Sequence, residues 1–336
     1  MDDRRFVAGE YISRPTEVVL SRIAFLFPGQ GSQMSGMGLD LTERYPDVVR
    51  PYFETADEVL GIGLSSLCFE GDAEALRETS VTQPAVYVAS LAAAAVLREK
   101  GIRPAVVAGH SLGEYTALVC AGVLDWVDGL KLVRKRGQLM AEVNRRTPGR
   151  MAAVIGLPAP QVNDICVEVS RALGVVVEVA NHNSARQSVV SGVDRGIDEV
   201  SRLALQAGAG HVADLKVGAP FHCSLMDDIA AEFGLSLESV AFATPAVPVV
   251  ANVTAGYVHS GAEARELLRR QLAAPVRWQE TLQLLAGEEV EGFVEVGPGR
   301  TLTNLSRAEH PNLPAMTAGT VRNIEQAVEK LGSVAV

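Results

Sequence analysis

The sequence has few of the residues that hold small secreted domains or metal sites together. Its 336 residues include only four cysteines and 5% aromatic side chains. The cysteines are scattered and none forms a C-x-x-C pair; they are Cys68, Cys120, Cys166 and Cys223. Neither a disulfide framework nor a zinc site is indicated, so we expect a reducing compartment, no metal and no cofactor.

Excess positive charge and long apolar segments are also missing. The formal net charge is −10 at pH 7, which argues against nucleic-acid binding, because that function needs a basic surface to neutralise phosphates. No uninterrupted run of about 18 apolar residues occurs. The first 20 residues carry acids among their arginines and lack the apolar core of a signal peptide. We therefore expect a soluble, cytoplasmic protein.

What the sequence does contain is a series of short apolar runs that end in glycine-rich turns. "IAFLF" before "PGQG" and "AVVA" before "GHSLG" are typical of strands buried in a parallel sheet. From about Thr147, β-branched runs and helical stretches follow in the β-α-β-β-α-β order of a ferredoxin-like unit. We predict an α/β protein with an α/β-hydrolase-like catalytic subdomain and an inserted ferredoxin-like small subdomain. The predicted bounds are 1–20 for an N-terminal extension, 21–146 and 217–336 for the catalytic subdomain, and 147–216 for the small one.

A serine stands at the junction of one predicted strand and the next helix. Gly109-His110-Ser111-Leu112-Gly113 fits G-x-S-x-G, in which glycines permit a strained turn that lifts the serine oxygen out of the sheet. The alternative is a glycine-rich turn with an incidental serine. The following helix would leave the Leu112 N–H free to stabilise an oxyanion, at the positive end of the helix dipole.

A second oxyanion donor and a base are needed to make Ser111 reactive. In "FPGQGSQ" the glycines free the Gln30 N–H to face a ligand, although the same letters also fit a plain turn at the end of a strand. Of six histidines, His222 in "GAPFHCSLM" is the best candidate base, against the general expectation that a single histidine is structural.

The motifs taken together resemble a known family. "FPGQGSQ", "TQPA", "GHSLGEY", "RGQLM", "NHNS", "PFHC", "RRQL" with "PVRW", and "EVGPG" occur in the order and spacing of malonyl-CoA:acyl carrier protein transacylases. The resemblance covers about residues 22–310. It implies an acyl-carrier-protein S-malonyltransferase, and it extends to discrete acyltransferases that load polyketide synthases.

The resemblance also implies a role for each matched residue of the reaction centre. Ser111 would be the acylated nucleophile and His222 its general base. The backbone N–H groups of Gln30 and Leu112 would form the oxyanion hole. A backbone carbonyl beside Gln271 would orient the histidine in place of a carboxylate.

The acyl pocket is assigned in the same way. Arg136 matches the arginine that holds the free carboxylate of malonate, Gln83 matches another pocket residue, and Asn183 would line the cleft from the small subdomain. The alternative for Arg136 is a solvated helix face, since it belongs to an Arg-Lys-Arg run. A guanidinium, however, matches a carboxylate in two parallel hydrogen bonds.

One departure from the family concerns the residue before the base. Bacterial fatty-acid members usually carry serine there, whereas this chain has Phe221, as malonyl-selective polyketide acyltransferases do. A ring at this position would fill the volume that an α-methyl group needs, so we expect malonyl to be preferred over methylmalonyl. Plain core packing is the alternative for Phe221. The departure also favours a polyketide synthase, served in trans, over a housekeeping fatty-acid role.

The expected partners are malonyl-CoA and a phosphopantetheinylated acyl carrier protein, and we predict a monomer that binds neither nucleic acid nor membrane. Because carrier proteins are usually acidic, local basic residues should form the docking surface. The candidates near the small subdomain are Arg145, Arg146, Arg150, Arg186 and Lys216.

Three other functions remain open from the sequence. They are a hydrolase that clears acyl groups from carrier proteins, a transferase of larger acyl groups between carriers, and a catalytically idle docking module. Arg136 argues against the first two, and the complete set of reactive residues argues against the third.

Overall fold

The computed structural model describes residues 22–71, 74–146, 148–215, 217, 219–287 and 290–332. The predicted N-terminal extension at 1–20 lies outside these residues. So do the predicted subdomain limits at Thr147 and Lys216, and the side chain of Arg145. The subdomain boundaries therefore stay a prediction.

The larger of two sheets is wholly parallel, with strand order β7-β2-β1-β8-β9. Every residue of its central strands is buried, as expected for apolar runs covered on both faces by helices. Its strands are β1 Ile23–Phe27, β2 Val106–Gly109, β7 Val249–Val250, β8 Gly292–Glu295 and β9 Ala315–Thr317.

The smaller sheet is antiparallel, with strand order β4-β5-β3-β6. Its strands are β3 Arg150–Ile155, β4 Val177–Ser184, β5 Gln187–Gly192 and β6 His211–Asp214. One helix follows the first strand and another follows the third, which gives the ferredoxin-like β-α-β-β-α-β order and strand arrangement. The predicted fold class, a parallel α/β sheet with a separate small antiparallel sheet, is confirmed.

Helices cover both sheets, and two short 3₁₀ helices lie at Ala75–Arg77 and Ser224–Met226. The α-helices are α1 Leu39–Arg44, α2 Pro46–Leu60, α3 Leu64–Glu70, α4 Thr79–Glu99, α5 Gly113–Cys120, α6 Trp126–Arg146, α7 Ala159–Leu173, α8 Asp194–Gln206, α9 Asp227–Glu238, α10 Gly261–Gln271, α11 Trp278–Gly287, α12 Thr301–Glu309 and α13 Val321–Gly332.

The main core lies between the parallel sheet and α2, α4, α5 and α6. Helix α4 is long and apolar enough to cross a membrane by length and composition, but 89% of its most apolar window is buried inside the protein. Its apolar composition is therefore explained by its place in the core of the protein. Gly137 of α6 lies so close to α4 that a Cβ there would come within 2.7 Å of the Thr79 carbonyl oxygen.

Two features of the fold assemble one site. Parallel pairing aligns Phe27 with Gly109, so the turns that follow β1 and β2 leave the same edge of the sheet. The segment after α10 pairs with the small sheet, because Val276 N–H donates to Ala180 O and His182 N–H donates to Val276 O, both at 2.9 Å. The small sheet is thereby fixed beside that edge.

Candidate active site

The turn after β2 is a strained strand-to-helix elbow. Ser111 has φ of 52°, in the left-handed region that costs a non-glycine residue about 1–2 kcal/mol. The flanking glycines are required by space, since a Cβ on Gly109 would lie 1.9 Å from the Gly113 carbonyl carbon. A Cβ on Gly113 would lie 2.0 Å from the Phe27 carbonyl oxygen. The G-x-S-x-G spacing is therefore the condition for this backbone path.

His222 lies within hydrogen-bond distance of the Ser111 hydroxyl. The Oγ of Ser111 and the Nε2 of His222 are 2.7 Å apart, and Nδ1 of His222 lies 2.8 Å from the Gln271 carbonyl oxygen. Gln271 ends α10, so its carbonyl has no partner inside that helix. Because a carbonyl only accepts, Nδ1 carries the hydrogen, and Nε2 is left to accept the proton of Ser111.

The histidine is neutral at physiological pH. Burial, and secondarily the positive charge of Arg136, lower the pKa of His222 to about 3. A neutral imidazole beside a serine hydroxyl is the arrangement of a general base at rest.

Arg136 lies in the interior, with 1% of its surface exposed. Its Nη1 donates to Gln83 Oε1 at 2.9 Å, and its Nη2 donates to Gln271 Oε1 at 3.0 Å and to Ser111 Oγ at 3.2 Å. Its Nε is buried and has no hydrogen-bond partner among the described residues. The guanidinium therefore rests on neutral oxygens beside the serine and keeps an unused donor.

The rest of the Arg-Lys-Arg run takes different directions. Arg134 donates to the Ser80 carbonyl oxygen, and Lys135 forms an exposed ion pair with Glu232 at 3.0 Å. Only the third member of the run, Arg136, turns inward. The alternative of a solvated helix face therefore does not describe it.

Two backbone N–H groups lie near the elbow without an assigned acceptor. Among the hydrogen bonds of the described residues, neither the Leu112 N–H nor the Gln30 N–H has a partner. The turn that carries Gln30 is pressed against the elbow, because a Cβ on Gly29 would lie 2.6 Å from the His110 carbonyl oxygen. The side-chain Nε2 of Gln30 donates to Thr79 Oγ1 at 3.2 Å. Both N–H groups thus remain available to a ligand.

Asn183 contacts the elbow through His110, and Phe221 directly precedes His222 in the chain. Asn183 Oδ1 lies 2.9 Å from His110 Nε2, so this side chain links the small sheet to the elbow. Burial lowers the pKa of His110, which keeps that ring neutral. Phe221 is buried within the main core directly before His222. Contact of Asn183 or Phe221 with an acyl group stays a prediction.

Two site residues are missed by the sequence analysis, and both hold the elbow. Asn252, in the turn after β7, accepts the Ser111 N–H at 2.6 Å and donates to the Gly109 carbonyl oxygen at 2.6 Å. Glu114, in the first turn of α5, accepts from Gln271 Nε2 at 2.6 Å. The available signals were the position of Asn252 beyond a strand end and that of Glu114 within "GHSLGEY".

In the part of the chain that the structure describes, no three histidine, cysteine, aspartate or glutamate side chains form a group that would hold a metal ion.

Comparison with known proteins assigns the family. A family model described as an acyl transferase domain matches residues 24–328. The malonyl CoA-acyl carrier protein transacylase of Bacillus subtilis is 41% identical over 312 residues, which cover 93% of this chain and 98% of that protein. This chain belongs to the malonyl CoA-acyl carrier protein transacylase family. The resemblance predicted from the motifs is confirmed.

Solved transacylase structures share the fold. One is a crystal structure of the enzyme from Acinetobacter baumannii, with a TM-score of 0.89, 38% identity, and coverage of 94% of this chain and 99% of that one. Another is a malonyl-transacylase in complex with a holo acyl-carrier protein of a type II polyketide synthase. It has a TM-score of 0.88 and 39% identity, and it covers 92% of this chain and 100% of that one. Both transacylases therefore match along nearly the whole chain.

Proposed function

We propose that this transacylase moves a malonyl group from malonyl-CoA to the phosphopantetheine thiol of an acyl carrier protein, through an acyl-enzyme on Ser111. The proposal depends on a chain of hydrogen bonds that runs from Ser111 Oγ through the His222 ring to Gln271 O. Arg136 Nη2 donates to the same serine oxygen. The hydroxyl oxygen of Ser111 thus contacts both the proposed base and a buried cation.

In the first half-reaction, His222 Nε2 takes the hydroxyl proton while Ser111 Oγ attacks the thioester carbonyl carbon. The N–H groups of Leu112 and Gln30 stabilise the resulting oxyanion, which is the largest single contribution in many acyl transfers. The tetrahedral intermediate then collapses, the carbon–sulfur bond breaks, and protonated His222 returns the proton to the CoA thiolate.

In the second half-reaction, the thiol of the carrier protein attacks the acyl-enzyme. His222 removes the thiol proton, the thiolate attacks the ester carbonyl, and Ser111 leaves with the proton that His222 holds. Because CoA leaves before the carrier thiol reacts with the acyl-enzyme, the kinetics should be ping-pong.

Arg136 would select the acyl group. Acetyl and malonyl differ by one carboxylate, and the buried guanidinium has an Nε–H without a hydrogen-bond partner among the described residues and no bonded carboxylate. A desolvated carboxylate binds such a fork through charge-assisted hydrogen bonds. Gln83 would serve by holding Nη1 in place.

Phe221 would exclude branched acyl groups. Overfilling a packed site costs about 1–3 kcal/mol, so a methylmalonyl group should react about tenfold or more slowly than malonyl. Substitution of Phe221 by serine should narrow that gap, as read from the two acylation rates. An unchanged ratio would leave Phe221 as core packing only.

The docking surface that we propose for the carrier protein is smaller than the predicted one. Arg150 is held by three aspartates, and Arg146 is paired with Glu142, so neither offers a free charge. Among the described residues, the guanidinium of Arg186 bonds the Gly156 carbonyl oxygen and forms no ion pair with a carboxylate. Reversal of that charge by Arg186→Glu should raise the KM for the carrier and leave malonyl loading from CoA unchanged.

We also propose service to a polyketide synthase in trans. Support comes from Phe221 and from the matched transacylase that was solved with a polyketide carrier. Transfer rates to carriers of the two kinds, measured with one loaded enzyme, would decide this: faster transfer to a fatty-acid carrier would contradict the proposal.

The central test is the intact mass of the protein after incubation with malonyl-CoA, methylmalonyl-CoA or acetyl-CoA. We expect a malonyl adduct on the wild type, none on Ser111→Ala, and loss of malonyl preference in Arg136→Ala. An adduct that persists in Ser111→Ala would overturn the assigned nucleophile. An adduct that passes to water faster than to any carrier would indicate the hydrolase instead.

A further inference from the structure

Glu114 is a buried carboxylate that the proposed reaction does not use. It lies three residues after Ser111, in the first turn of α5, with 1% of its surface exposed. Its Oε2 accepts from Gln271 Nε2 at 2.6 Å and from the Asn252 backbone N–H at 3.3 Å. No lysine or arginine bonds it directly among the described residues. Burial of a carboxylate costs free energy unless hydrogen bonds or a nearby opposite charge compensate it.

Both partners of Glu114 hold the nucleophile. Gln271 Nε2 also donates to the Ser111 carbonyl oxygen at 2.8 Å, and Asn252 Oδ1 accepts the Ser111 N–H at 2.6 Å. The two backbone groups of the strained serine are therefore held by two side-chain amides. Those amide-bearing residues share one anchor, the carboxylate of Glu114.

The far end of the Gln271 amide reaches Arg136. An ionised carboxylate and a backbone carbonyl only accept hydrogen bonds, so Glu114, as the charged acceptor, and the Ser111 carbonyl oxygen together fix the direction of the Gln271 NH₂ group. The amide oxygen must then face the other way, where it accepts from Arg136 Nη2 at 3.0 Å. A single amide thus connects the buried carboxylate to the buried guanidinium.

We propose that Glu114 is a positioning residue for acyl selection: through Gln271 it holds Arg136 where a malonyl carboxylate binds, and through Asn252 it supports the Ser111 backbone. The inference rests on the proposed function, in which Arg136 receives the malonyl carboxylate. Glu114 touches no reacting atom, and it acts through the orientation of its amide partner.

Glu114 should gain or lose its proton near neutral pH. Burial raises the pKa of Glu114 to about 7, and bonds from Gln271 and Asn252 and the charge of Arg136 oppose that rise. The groups that face it are Arg136 from α6, the neutral amides of Gln271 and Asn252, and Tyr115 on its own helix. Burial raises the pKa of Tyr115 well above its usual range, so its phenol stays neutral. His222 is neutral as well over this range.

The test compares Ser111 acylation by malonyl-CoA and by acetyl-CoA in wild type, Glu114→Gln and Glu114→Ala. With glutamine or alanine at 114, the Gln271 amide loses its charged acceptor and keeps only the neutral Ser111 carbonyl oxygen as a fixed acceptor, so it holds Arg136 less firmly. We expect the ratio of malonyl to acetyl rates to fall about tenfold or more, as for a lost bond to a charged group. A purely structural role would lower both rates together, and that result would overturn the inference.

A matched control is Glu295→Gln. Glu295 is equally buried, but its carboxylate accepts the backbone N–H groups of Leu302 and Thr303 at the start of α12, away from Ser111 and Arg136 in the hydrogen-bond network. This variant should lose stability and keep the wild-type rate ratio. If Glu114→Ala does not fold, Glu114→Gln with this control still decides the question.

Arg136→Ala separates this inference from the proposed function. If Arg136→Ala abolishes the malonyl preference and Glu114→Gln keeps it within about twofold, positioning by Glu114 is wrong and the proposed selection stands. If neither substitution changes the ratio, the proposed role of Arg136 fails as well.

The pH profile supplies an independent readout. The wild-type ratio should fall as the pH is lowered from about 8 to about 6, because Glu114 gains a proton in this range. Glu114→Gln already lacks the charge and should show a flat, low ratio. The same slope in both proteins would overturn the inference.

Discussion

Arg136 and Arg150 hold positive charge in opposite ways. Arg150, on the partly exposed first strand of the small sheet, forms ion pairs with Asp194, Asp198 and Asp214. Arg136 is almost wholly buried, yet its hydrogen bonds go to two amide oxygens and a hydroxyl. The half-buried Arg150 has three carboxylate partners, and the buried Arg136 is bonded to no carboxylate among the described residues.

The difference separates a structural cation from one kept for a ligand. Exposed ion pairs contribute little, because water screens both partners, so the cluster around Arg150 joins neighbouring elements at small cost. A buried guanidinium without a bonded carboxylate is unfavourable unless an anionic group pairs with it. In the proposed function, binding energy would thus be reserved for malonyl and denied to acetyl.

The largest expected effect follows from removing the buried cation. In Arg136→Ala, kcat/KM for malonyl-CoA should fall about 10²–10³-fold, since breaking a buried pair costs about 3–5 kcal/mol. The rate with acetyl-CoA should stay within a few-fold of wild type. Single-turnover acylation with each thioester measures both. Equal losses for the two would show that Arg136 supports the serine and does not discriminate between acyl groups.

A smaller effect should come from keeping the charge but changing its shape. Lysine at position 136 is a point charge that cannot bond Gln83, Gln271 and a carboxylate with the same fixed fork. We expect Arg136→Lys to retain malonyl preference over acetyl but to lose about tenfold or more in malonyl rate. Wild-type kinetics in this variant would contradict a bidentate role.

The sequence predicted the parts of the site that depend on local backbone. Gly109, Ser111 and Gly113 are adjacent in the chain, and the elbow follows from the space that glycines leave. The parallel α/β class likewise follows from short apolar runs that end in turns. His222 was the best candidate base from the sequence itself and the family resemblance strengthened that choice, whereas Arg136 needed the resemblance, because a basic run has several ordinary explanations.

What the sequence missed depends on contacts between distant segments. Asn252 is 141 positions from Ser111, and Gln271 is 157 positions from Glu114, so no local pattern reveals either hydrogen bond. Arg150 is misjudged for the same reason. Its aspartates lie as far as 64 positions away, and only the folded sheet brings them to the guanidinium that the sequence presents as a free docking charge.

The two arginines should also differ in their effect on pH dependence. His222 has its pKa lowered to about 3, first by burial and then by Arg136. Below about pH 6.5 the unfolded chain binds a proton at this histidine and the folded protein does not, so stability is lost as the pH falls toward 3. Arg136→Ala should raise the pKa, ending that loss at a higher pH. Glu114 titrates in the opposite sense over this range, so His222 has to be followed directly. Its ring NMR shifts, recorded from pH 7 to pH 4, should begin to move at a higher pH in Arg136→Ala than in Arg150→Ala, which should match wild type.

The smallest effect is expected at Arg150 itself. Arg150→Ala removes the common partner of three aspartates that remain close to one another, and exposed pairs of this kind contribute about 0–1 kcal/mol. The loss in unfolding free energy should shrink at high salt, which also screens the aspartates from one another. Acylation of Ser111 by malonyl-CoA should stay at the wild-type rate. A tenfold fall in that rate would mean that the small sheet transmits its surface charge to the site, and the contrast between the two arginines would then be one of degree.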